Sequence, residues 1–162
     1  MGTGMWSDEV LKAYWAAFLE SGSVQTPPSE PTDVFAFGNT PELADALGDL
    51  VVRGVKTATT SALWAYAEGE PLPSVGDLSI VISGTGQPLC IIQTTEVTTK
   101  PFSQVDAAFA YDEGEDDRSL AYWRAAHARF FSETLAPLGK PFQHDMPVVC
   151  ERFRVVYPRE HS

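Results

Sequence analysis

One lysine and a run of hydroxyls share the stretch Gly54-Val55-Lys56-Thr57-Ala58-Thr59-Thr60-Ser61. A hydroxyl is a weak nucleophile and an ammonium is no base, but a lysine that loses its proton on burial could activate a neighbouring hydroxyl. Lys56 and Thr59 stand three apart, so one helical turn would put both side chains on the same face. That makes them the candidate pair. On local pattern alone a simpler reading competes with it: Gly54 stops a helix and the hydroxyls bond backbone groups in a turn.

Two further groups carry chemistry. Asp112-Glu113-Gly114-Glu115-Asp116-Asp117 places five carboxylates in six positions, just ahead of a helix expected from Ser119 to about Glu133. As a run it reads as a solvated acidic cap at the positive end of that helix, a reading that still allows one member to turn inward. It lacks the ligand spacing of a calcium loop. Within the helix, Leu120, Trp123, His127 and Phe130 form one stripe, so His127 is expected as a packed core histidine, and no second histidine stands at zinc spacing from it. Arg152 and Arg154, two apart on a final strand from about Pro147 to Tyr157, share a face. They are placed to meet phosphate or surface acids.

The elements that position these groups follow from periodicity and punctuation. Val10, Leu11, Tyr14, Trp15, Phe18 and Leu19 recur at helical spacing from Asp8 to Glu20, with Ser7 as the expected cap and Gly22 beyond the end. Residues 1 to 5 are set aside as a frayed start or a cloning remnant. Pro27, Pro28 and Pro31 make an extended connector, and Val34 to Phe37 reads as a strand. Thr40-Pro41-Glu42 opens a helix that buries Leu43, Leu47, Leu50 and Val51 and ends at Gly54. Ala62 to Ala67 reads as a further helical turn. Leu78 to Ile82, the turn Gly84-Thr85-Gly86 and Leu89 to Val97 read as a hairpin.

A chain of 162 residues with 44% hydrophobic and 20% charged residues is one ordinary globular domain. Its formal net charge of -11 disfavours tight, non-specific binding to long RNA or DNA, which normally needs a basic face. A local positive pocket or a small ligand stays open. Neither a basic leader nor a membrane-length apolar run is found, so a cytoplasmic protein that does not meet a membrane is expected. Cys90 and Cys150, far apart and each inside a strand-like run, are expected as reduced, buried thiols.

The order of the motifs is more specific than any one of them. Gly54-Val55-Lys56-Thr57-Ala58-Thr59, preceded by Pro41-Glu42-Leu43-Ala44-Asp45 and followed by Val75-Gly76-Asp77, then by Glu113 to Leu120 with Trp123 and His127, resembles the ASCH domain family from about Val34 to Tyr157. The resemblance implies an α+β fold: a small PUA-like β-barrel with helices packed around its openings. Residues 1–32 would add an N-terminal helix and proline-rich connector to an ASCH domain at 33–158.

The family includes bacterial N4-acetylcytidine amidohydrolases, which use a lysine, a threonine and a glutamate, and members described as ribonucleases or RNA-binding modules. By resemblance Lys56 and Thr59 take the first two places, and Glu115 takes the third with Glu113 in reserve. Ser61 stands where the shortest amidohydrolases carry a basic residue. Substrate contacts are expected from Arg53, Thr57, Ser61, Glu113, Trp64 and Trp123, with Tyr66 and Phe37 as further rings for base stacking.

Two functions follow. One is an amidohydrolase that removes the acyl group from an N4-acylated cytosine or cytidine, with no cofactor and no metal. Thr59 would attack, Lys56 would take its proton, and backbone N–H groups near Gly54 to Ala58 would receive the oxyanion. That role requires desolvation of Lys56 to outweigh the pull of a neighbouring glutamate. The other is an RNA-binding module, with or without ribonuclease activity, in which Lys56, Arg53, Arg152 and Arg154 meet phosphates. RNA is thus the alternative partner to a small nucleoside, and DNA is not expected.

Overall fold

The computed structural model describes residues 8–158. Its regular elements are α1 (Glu9–Ser21), β1 (Asp33–Phe35), α2 (Pro41–Val52), β2 (Ala58–Ala62), β3 (Leu78–Ile82), β4 (Pro88–Pro101), α3 (Ala107–Glu113), α4 (Leu120–Leu135) and β5 (Pro147–Tyr157), with short 3-10 turns at Leu63–Ala65, Phe102–Gln104 and Ala136–Leu138. The strands form one mixed sheet in the order β1-β3-β4-β5-β2, in which β1 runs parallel to β3 while β3–β4 and β2–β5 are antiparallel. This is the α+β, PUA-like architecture that the resemblance implies.

The chain divides into two compact units, one made of Met1–Gly54, Val75–Thr95 and Phe153–Ser162, the other of Val55–Ser74 and Glu96–Arg152. In the first unit α1 is capped by Asp8, whose carboxylate accepts from the Val10 N–H, and Ser7 lies outside the described residues. Its apolar stripe buries Leu11, Trp15 and Phe18 among Val34, Leu78, Ile80 and Ile91. Full burial of each such side chain contributes roughly 1.5–3 kcal/mol. Thr40 caps α2 and Pro41 fills its first turn, as expected, so Leu47 and Val51 face Phe37, Val81 and Phe153.

In the second unit, Ala58, Ala62, Phe102, Phe131, Leu135 and Val148 form the core, with α3 and α4 supplying its helical side. Ser119 caps α4 through its hydroxyl, which accepts from the Tyr122 N–H. Two elements depart from the sequence reading. The stretch after Gly54 is extended: β2 covers 58–62, and the expected helical turn shrinks to Leu63–Ala65. The acidic run is not wholly a cap before α4, because its first two residues close a helix of their own, α3. Cys90 and Cys150 are buried free thiols, as expected, and burial pushes them up to about 12 and about 11.

Candidate functional site

Because the chain is extended after Gly54, side chains alternate in period two rather than meeting every third residue. From Val55 to Ala62 the even positions are the buried ones: Lys56, Ala58, Thr60 and Ala62 point inward, while Thr57, Thr59 and Ser61 do not. Lys56 is therefore in phase with Thr60. Thr59, expected on the lysine's face by a helical argument, lies on the other face of β2, opposite Glu151 in the pairing with β5. The β-branched Thr59 and Thr60 favour such a strand.

The carboxylate that meets Lys56 from inside is Glu113, the last residue of α3. Gly114 follows it with φ 76°, and a Cβ there would lie 2.6 Å from the Val55 carbonyl oxygen, so only glycine lets the helix end press onto the lysine segment. Thr57 N–H donates to the Asp112 carbonyl at 2.8 Å and fixes the same approach.

Lys56 Nζ then donates to Glu113 Oε1 at 2.9 Å, to Glu115 Oε2 at 3.0 Å and to the Ala58 carbonyl at 2.9 Å. Glu113 Oε2 accepts from Thr60 Oγ1 at 2.5 Å and from Trp123 Nε1 at 3.0 Å, and His127 Nε2 stands 3.5 Å from it. The Lys56 and Glu113 side chains are each 1% exposed, against 21% for Glu115.

Two opposed effects act on Lys56. Burial alone would lower its pKa, but the charges of Glu113 and Glu115 and their hydrogen bonds outweigh that and raise it above the ordinary lysine value. Burial would likewise raise Glu113, yet the Lys56 charge, the His127 contact and the Thr60 bond hold it well below the usual carboxylate range. The pair is ionised on both sides. The condition for a lysine base, desolvation winning over the glutamate, is the opposite of this balance.

The remaining expected residues have separate surroundings. Trp123 is buried, stacked between Phe102 (ring centroids 5.1 Å) and His127 (4.3 Å), and touches the cluster through its N–H rather than through an open face. Phe37 is buried in the core of the first unit. Trp64 packs against the second unit's core, and its carbonyl accepts from Lys140 Nζ. Ser61 Oγ bonds Tyr66 Oη at 2.8 Å. Arg53, in the first unit, is exposed and paired with Asp49. Arg152 pairs with Asp112 and Glu96, while Arg154 donates to Gln93 Oε1.

Thr60 and the His127 contact with Glu113 went unread. Reading 55–62 as a strand would have found Thr60, whereas no local signal aims His127 at a carboxylate. Among the described residues no group of three or more His, Cys, Asp or Glu side chains is placed to hold a metal ion, and no helix is long and apolar enough to cross a membrane.

A family model for the ASCH domain matches residues 33–157. The ASCH domain from Lactobacillus crispatus JV V101 superposes with a TM-score of 0.84 at 38% identity, covering 93% of this chain and 96% of that one. Protein EF3133 from Enterococcus faecalis V583 gives 0.81 at 40% identity, covering 95% and 98%. No curated protein matches the chain.

Proposed function

This chain belongs to the ASCH domain family, and from that premise we propose that it is an RNA-recognition module in which the Lys56–Glu113–Thr60 cluster is scaffold rather than hydrolytic apparatus. The observation that carries this reading is saturation. An ammonium has three N–H donors, and Ala58 O, Glu113 Oε1 and Glu115 Oε2 engage Lys56 within 3.0 Å. A charged and fully engaged lysine takes no proton from a hydroxyl. The cluster instead ties β2, α3 and α4 together at one carboxylate.

Phosphate contacts contribute little to this recognition. The net charge is -11, and Arg53 and Arg152 are already matched with Asp49 and Asp112. Bases must supply the affinity, and unpaired bases offer both edges and faces. Fluorescence anisotropy with a short single-stranded RNA tests this. Binding is expected, and the log-log slope with salt should be about 1 in magnitude, the equivalent of one or two phosphates at ~0.7 each. A slope above about 3, or no binding at all, would contradict it.

Amide hydrolysis is the second reading, and one distance favours it. Thr60 Oγ1 lies 2.5 Å from Glu113 Oε2, so the carboxylate, not the lysine, is the base within reach. Thr60 Oγ would bond to the acyl carbon of an N4-acylated cytosine as its proton passes to Glu113. The C–N4 bond would then break with that proton going to the departing amino group, and water would release the acid from the ester. Turnover of N4-acetylcytidine, lost in Thr60→Val and kept in Thr59→Val, would establish this reading in place of the first.

A further inference from the structure

We infer that the exposed ring of Tyr111, backed by the guanidinium of Arg118, is a stacking platform for one unpaired base of single-stranded RNA; the inference rests on the RNA-recognition reading above. Tyr111 is 54% exposed, the most open of the large aromatic side chains among the described residues. The Arg118 guanidinium carbon lies 3.7 Å from its ring centroid. Arg118 Nε donates to the Tyr111 carbonyl at 2.9 Å and Nη2 to the Val55 carbonyl at 3.4 Å, so the guanidinium is held at the ring by backbone.

Charge alone would put Arg118 elsewhere. It directly follows Glu115, Asp116 and Asp117, yet among the described residues it forms no ion pair, whereas Arg53, Lys56 and Arg152 all do. The backbone keeps it off the acids: Arg118 has φ 63° and Asp116 φ 53°, the left-handed region that residues with a side chain seldom enter. Arg118 N–H closes the loop onto the Glu115 carbonyl at 2.9 Å. A guanidinium placed this way remains a cation over a ring.

With one face of Tyr111 covered by Arg118, an exposure above one half leaves the other face open. Any base can stack there, because every base has a π-face, and stacking needs no phosphate contact. That suits a chain of net charge -11, whose carboxylates beside the loop repel the backbone of the strand but not a neutral base. Paired bases have no free face to offer. The platform therefore selects single strands.

The test uses a single-stranded RNA hexamer carrying 2-aminopurine, whose fluorescence is quenched on stacking, with the whole protein. Wild type, Tyr111→Phe and Tyr111→Trp should bind and quench. Tyr111→Ala should lose the quench and bind roughly 5- to 150-fold more weakly, the range for one lost base–aromatic stack. The same strand annealed into a duplex should not be quenched. If Tyr111→Ala, shown folded by circular dichroism, binds and quenches like wild type, the platform is overturned while RNA recognition stands. If wild type binds no RNA, recognition falls and the platform with it.

Discussion

The interior of the first unit is closed by Trp15, Phe18, Ile80 and Ile91, and its buried polar side chains among the described residues, Ser79 and Thr94, are neutral, whereas the second unit packs Phe102, Phe131 and Leu135 beside a lysine and a glutamate whose side chains are each 1% exposed. A buried ion pair seldom repays its desolvation, and apolar residues of similar volume often serve stability better. The first interior thus shows what this chain does when only stability is at issue. The second carries charge because one carboxylate can fix partners on two elements and on the segment that leads into β2: Thr60 on β2, Trp123 and His127 on α4, and Lys56 just ahead of β2. Position, not added stability, is what the charged interior supplies.

The largest expected effects come from breaking either interior. Lys56→Met leaves Glu113 buried without its cation and should cost about 3–5 kcal/mol, lowering Tm by roughly 10 °C in a chain of this size. Phe18→Ala should cost a similar ~3–5 kcal/mol through a cavity. Thermal melts then separate the two by pH. Glu113 has a lowered pKa, so its contribution is complete above the unfolded value of about 4.3 and is lost as pH falls toward the folded value. Lys56 has a raised pKa, so its contribution is complete below about 10.4 and is lost as pH rises through the folded value. The Lys56→Met penalty should hence be flat from about pH 5 to 10 and shrink outside that window, while the Phe18→Ala penalty shows no such window.

A smaller effect is expected from removing both charges of the second interior together. Lys56→Met combined with Glu113→Gln removes both charges and leaves an amide oxygen for the Trp123 N–H. Denaturant titration should find it more stable than the sum of its single changes by about 1–3 kcal/mol. Additivity would mean that the two groups do not act as a pair. The smallest effect is expected at Glu115→Gln, below about 1 kcal/mol, since its side chain is 21% exposed and can turn to water. Burial makes Lys56 and Glu113 part of the core, which is why their loss ranks with that of Phe18.

Much of this was legible in the sequence, for identifiable reasons. Strong punctuation placed α2, where Thr40 and Pro41 open the helix, and the hairpin strand β3, whose bounds were met at Leu78–Ile82. Membership of the ASCH family was legible from motif order. Lys56 stood out as an amine among hydroxyls just past a helix stop, the two candidate glutamates came from the family resemblance, and both carboxylates do meet the lysine. The threonine partner was misjudged because the Thr-Ala-Thr-Thr run has no apolar alternation of its own. Pairing with β5, about ninety residues away, makes it a strand. The short α3 was hidden for a related reason: seven residues carry too little periodicity to stand out.

Lys56 acts as a charged, engaged tie and not as a base, and its protonation can be read directly. Nitrogen-15 and carbon-13 labelled lysine, followed by NMR through a pH titration, isolates the Lys56 Nζ signal by its absence in Lys56→Met. The expected result is an ammonium that stays protonated past the ordinary lysine pKa, with slowed exchange of its protons because Glu113, Glu115 and Ala58 hold them. A Lys56 that titrates near pH 7 would contradict it and return the lysine to acid–base chemistry.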